Sequence, residues 1–91
     1  MSTETEDTIT RPEKFVASLA IDELIGSRIR SLREQASMSI ADAARICELT
    51  AYLYQAGESG TRRFSSRELF TLCVELKVPM SDIFGELRQP D

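Results

Sequence analysis

Few side chains in this sequence can do chemistry, and the absences are informative. The 91 residues contain no histidine and two cysteines, Cys47 and Cys73. Without histidine, the usual general base near neutral pH and the usual imidazole metal ligand are both missing. No nucleophile with a base beside it and no convergent carboxylates can be read from the spacing, so the sequence predicts no enzyme, no catalytic residue, no metal site and no cofactor. Both cysteines fall on apolar stripes, where a thiol behaves as a small core hydrophobe. What remains is a set of groups suited to hydrogen bonding and charge pairing at a surface. Tyr52 and Gln55 lie in one short helical segment, and Arg62 and Arg63 follow it.

The elements that position these groups belong to one small domain. With 42% apolar and 29% charged residues the composition is that of an ordinary globular protein. The longest apolar runs are a few residues, too short to span a bilayer, and nothing at the start reads as a signal peptide, so a cytoplasmic chain with reduced thiols and no membrane partner is expected. A net charge of −4 argues against bulk attraction to polyanions. That charge is uneven: residues 1–23 hold two bases against six acids, and the remainder nine against nine. Residues 1–20 read as an acidic N-terminal extension, partly disordered, because the first dozen hold Ile9 as their one aliphatic side chain within a Ser/Thr/Glu-rich stretch. Phe15, Val16 and Leu19 share one helical face, as in an extra short helix or an arm that docks on a partner.

Residues 21–88 carry the helical signals. Ile25, Ile29, Leu32 and Ala36 mark a buried stripe on a first helix from Asp22, its expected N-cap. Ser39 with Asp42 begins a second, very short helix whose inner face is Ile40, Ala43, Ala44 and Cys47. Thr50 caps a third after a break of about three residues, the spacing of a helix-turn-helix. Ser65 with Glu68 is a capping box for a fourth helix with Leu69, Leu72, Cys73 and Leu76 inward, and Met80, Ile83, Phe84 and Leu87 supply a short fifth. The fold class is therefore all-α and compact, with a core small enough that a homodimer is expected.

The order of these features resembles the lambda-repressor-like helix-turn-helix domain, in particular the Xre/Cro family of bacterial regulators. The resemblance runs from about Ile25 to Leu87. It is carried by IGSRIRSLRE at 25–34, Ser39 with Ala44, ESG at 58–60 and LKVPMSDIF at 76–84. It implies that Ile40 to Cys47 is a supporting helix and that the segment from Ala51 to Gly57 is presented to the major groove of double-stranded DNA. Base edges would then meet Ala51, Tyr52, Gln55 and Ala56, with Gln55 able to bond adenine in two places. Ser39, Thr50, Arg62 and Arg63 would hold the phosphates. The resemblance also implies an ion pair between Arg33 and Glu58. Dimer contacts are expected at Met80, Phe84 and Leu87 near the last helix, or at the segment from Phe15 to Leu19.

Three positions depart from the pattern of that family. Ile40 stands where a glutamine is usual, Glu48 takes the place of the turn glycine, and Gly57 replaces an aliphatic residue, leaving a gap that Tyr54 is expected to fill. The competing expectation is a helix-turn-helix fold used for protein contact, with the acidic N-terminal extension and the Leu53–Tyr54 surface engaging a protein partner.

Overall fold

The computed structural model describes residues 20–85. It has five helices in chain order and no strand among the described residues: α1 over residues 20–35, α2 (Ile40–Cys47), α3 (Ala51–Ser59), α4 (Ser66–Leu76) and α5 (Ser81–Phe84). Local chemistry sets most of the boundaries. The Ser39 hydroxyl accepts the Asp42 amide at 3.0 Å, and the Thr50 hydroxyl accepts that of Leu53 at 3.1 Å. At α4 the capping box is reciprocal: Ser65 accepts the Glu68 amide at 3.1 Å, and the Glu68 carboxylate accepts the Ser65 amide at 2.9 Å. Each cap satisfies an amide that lacks an intrahelical partner.

One start differs from expectation. Residues 20 and 21 are already helical, so Asp22 lies inside α1, where its carboxylate accepts from Arg63 instead of capping the helix. Helix α2 does end at Glu48, which adopts the left-handed conformation (φ 61°, ψ 40°) expected of a glycine there. For a side chain with a Cβ that conformation costs about 1 kcal/mol. The expected extension falls mostly on residues 1–19, which lie outside the described residues, as does Leu87.

The core is built where the predicted stripes converge. Ile25 and Ile29 of α1, Ala43, Ala44 and Cys47 of α2, Tyr54 of α3, Leu69, Leu72 and Cys73 of α4, and Ile83 of α5 are all buried, with Phe64 from the α3–α4 loop. The small inner face of α2 packs against both α3 and α4. Two glycines mark the closest approaches. A Cβ on Gly26 would lie 2.4 Å from the carbonyl oxygens of Gly57 and Glu58, so α1 meets the end of α3 backbone to side-chain-free backbone. A Cβ on Gly57 would lie 2.5 Å from the ring of Phe64. The space left by Gly57 is thus taken by the Phe64 ring where Tyr54 was expected; the rings of Tyr54 and Phe64 are 5.8 Å apart and tilted at 59°, an arrangement favoured by aromatic quadrupoles. Arg28 of α1, half-buried beside Ile25 and Ile29, donates to the carbonyl oxygens of Ile83, at 2.7 Å, and Gly85. It thereby fastens the end of α5 to α1.

Gly57→Ala should therefore overpack the site and lower unfolding stability by about 1–3 kcal/mol. In a Phe64→Leu background the same change should cost less, because the obstructing ring is gone. Chemical denaturation of the four proteins measures this coupling, and strictly additive losses would show that Phe64 is not the obstruction.

Candidate nucleic-acid interface

Helix α3 has two sharply different sides. Inward, Tyr54 and Gly57 are buried, and Glu58 lies against α1. Outward, Ala51, Tyr52 and Gln55 are exposed and Ala56 is half-buried. Tyr52 is 78% exposed, an unusual degree for a tyrosine in a small domain, and no described segment covers it. Leu53 is only marginally exposed at the edge of this face. The first turn of α3 carries no acidic side chain, so its amide ends and Thr50 meet no local negative charge on their own helix. Ser39 and Thr50 are both exposed, with their hydroxyls accepting the cap amides described above.

The orientation of this face is held by a buried charge pair. Arg33 Nε donates to Glu58 Oε2 at 2.6 Å and Arg33 Nη2 donates to Oε1 at 3.2 Å, while Arg33 Nη1 donates to the Met38 carbonyl at 3.0 Å. Tyr54 completes the network by donating its hydroxyl to Glu58 Oε2 at 2.5 Å. The bond to Glu58 raises the Arg33 pKa against the opposing effect of burial. Burial, reinforced by the bond to Glu58, pushes the Tyr54 phenol far above its ordinary value, so it serves as a neutral donor. The participation of Tyr54 was not read from the sequence, although its spacing of four from Glu58 placed the two on one helical face.

A second network ties the α3–α4 loop to the start of α4. Arg62 donates from Nη1 and Nη2 to the two oxygens of Glu68 at 3.1 and 3.0 Å, and Glu68 is the same side chain that closes the α4 capping box. Burial pushes the Glu68 carboxyl up, but the Arg62 fork and the Ser65 amide outweigh it, leaving its pKa below the ordinary value. Arg62 is therefore committed to a carboxylate whose side chain is 6% exposed, where the sequence suggested a phosphate contact. Arg63 is more exposed and donates through Nε to Asp22 at 3.1 Å. The sequence motif RR thus separates into one arginine turned to the fold and one nearer solvent.

A half-open concavity of about 630 Å³ lies beside the outer face of α3. Tyr52, Gln55 and Ala56 of α3 line it together with Arg30 and Glu34 of α1, and the Arg33–Glu58 pair also contributes. Arg30 had no sequence signal beyond being one of several exposed helix charges. Of the expected dimer residues, Phe84 is partly exposed and Met80 is half-buried against the core. Both cysteines are buried, and desolvation pushes the Cys47 thiol up to about 11, which makes it a poor nucleophile.

The geometry defines an all-α domain with α2, a short turn and α3 arranged as a helix-turn-helix. It is similar to the crystal structure of the clp gene regulator ClgR from C. glutamicum, with a TM-score of 0.67 and 22% sequence identity over 74% of this chain and 87% of that one. At that identity the likeness is one of fold. No family model matches the chain, and no curated protein matches it.

Two outcomes follow from the charge networks. Arg33→Ala strands the Glu58 carboxylate and should cost about 3–5 kcal/mol, read from denaturant melts; a variant as stable as the parent would reduce the pair to a surface contact. For Glu68, a depressed folded-state pKa means stability that is complete above the unfolded value of about 4.3 and is lost as pH falls through the folded one. Glu68→Gln should therefore be less stable at neutral pH yet lose less of its stability between neutrality and about pH 2. Parallel acid profiles of Tm for parent and variant would exclude this linkage.

Proposed function

We propose that this chain is a bacterial transcription regulator of the Xre/Cro type, binding operator DNA as a cytoplasmic homodimer with α3 in the major groove. The observation that carries the reading is the open outer face of α3, with Tyr52 and Gln55 in solvent, on a helix whose inner face is locked to α1. A helix fits the major groove, and base edges are read by side chains of its early turns. Gln55 offers the bidentate amide for adenine, Tyr52 a hydroxyl and a ring face, and Ala51 and Ala56 contact with thymine methyl groups. With so few reading groups, DNA shape supplies part of the selectivity. Ser39, Thr50 and Arg63, all exposed, serve in this reading as positioning contacts to phosphates. The subunit contact of this reading falls on Met80 and Phe84, together with Leu87, which lies outside the described residues. The likeness in fold to a protein described as a gene regulator supports the same reading.

A second reading, a helix-turn-helix fold used as a protein-contact module, draws on the exposed Tyr52 and Leu53 side chains and on the acidic net charge. In that case the acidic extension supplies further contacts to the protein partner.

The distinguishing experiment is selection of bound sites from a randomised duplex pool, followed by gel shift. Gln55→Ala should relax preference at one base position per half-site, by about 1–3 kcal/mol of discrimination, while melting like the parent. The double variant Arg62→Ala/Arg63→Ala is a poor probe, since loss of Arg62 strands Glu68. Failure of the parent to enrich any sequence, with retained binding to a protein partner, would favour the protein-contact reading.

A further inference from the structure

The arginines of this fold differ in what each would leave behind on turning outward. Arg33 and Arg62 hold carboxylates whose side chains are 8% and 6% exposed, so releasing either arginine strands a buried charge. Arg30 is the opposite case. Its side chain is 65% exposed, and its partner Glu34, one turn along α1 at 3.2 Å, is 55% exposed. Such a pair adds little to stability and is readily exchanged. Nor would Glu34 be left alone, because Arg33 Nη2 stands 4.0 Å from the same carboxylate oxygen.

Position supplies the independent argument. Arg30 lines the concavity together with Tyr52, Gln55, Ser59 and Thr61, so an α1 cation shares this concavity with the outward residues of α3. Arg45 and Arg67 are also held in exposed pairs, with Asp42 and Glu48, but they do not line that concavity.

We infer that Arg30 is a backbone-phosphate contact, taking the DNA strand that passes over the concavity when α3 occupies the major groove. The inference rests on the DNA-binding reading above and deepens it. On binding, the Arg30 guanidinium exchanges the Glu34 carboxylate for a phosphate oxygen, and Glu34 keeps the neighbouring charge of Arg33. An arginine in this place carries no sequence information; it sets the depth and tilt at which α3 enters. The positioning role expected of Arg62 thereby falls to a residue on a different helix.

The test uses the full chain and two unrelated fluorescent duplexes of about 30 base pairs, titrated by anisotropy between about 50 and 200 mM salt. Arg30→Gln should make the log-log salt slope shallower by about 0.9 per subunit and weaken both duplexes alike, with an unchanged melting temperature. Arg30→Lys should restore most of the slope, since the charge is kept. Arg30→Met gives the same readout if the glutamine variant folds poorly. A parent that binds both duplexes while the neutral variants keep its slope overturns the assignment of Arg30 and leaves the DNA reading standing. A parent with no salt-dependent affinity for either duplex overturns both.

Discussion

The Arg33–Glu58 pair is the contact on which the remaining geometry hangs. It spans 25 positions of sequence, and its two ends belong to the helices whose relative rotation decides what α3 shows to solvent. Arg33 also holds the Met38 carbonyl between α1 and α2, and Glu58 also accepts the Tyr54 hydroxyl, so a single pair of charges ties two helices and a turn into one unit. Its energetic character is asymmetric. The Coulombic gain is largely offset by desolvation, but loss of one partner leaves the other buried and uncompensated. Such a network specifies an orientation more than it adds to stability. Gly26 makes the arrangement sterically feasible, since any larger residue would hold the end of α3 away from α1.

Around that lock, charge is used sparingly. The chain is acidic, yet the arginines of the described region are mostly engaged with carboxylates, some buried and some in solvent. Glu68 illustrates the buried kind: one side chain caps α4 and anchors the preceding loop through Arg62. On the proposed DNA-binding reading, attraction to a polyanion would depend on exchange of exposed pairs more than on a standing excess of positive charge. Such a surface discriminates between cations that the fold can release and those it cannot, a distinction invisible to net charge. The Cys47 thiol lies close enough to the Arg62–Glu68 pair to feel its charges, and desolvation by burial keeps it protonated.

Much of the fold was legible because helices announce themselves locally. The stripes at Ile25–Ile29 and Leu69–Leu72–Cys73, the Thr50 cap and the Ser65–Glu68 box all involve residues within about one or two turns of each other. Where a boundary depended on a remote partner, local reading failed: Asp22 has the chemistry of an N-cap, but Arg63, 41 positions away, claims it inside α1. Gly57 was legible as a gap, but its filling by Phe64 depended on how the loop after α3 folds back. The outer face of α3 was legible as polar and small side chains on a short helix, whereas the engagement of the neighbouring arginines was not, because the partner of an arginine is not encoded in its neighbours.

The sequence by itself determined five helices, the caps of α2, α3 and α4 and the amphipathic faces that must meet, since each of these follows from side chains a few residues apart and from the removal of apolar surface from water. Tertiary structure alone decided which cations are spent within the fold and which can serve a partner. Arg62 and Arg30 have the same guanidinium and the same intrinsic affinity for phosphate. They differ because one meets a buried carboxylate and the other a solvated one, and the cost of desolvating a charge is a property of the assembled surroundings rather than of the residue.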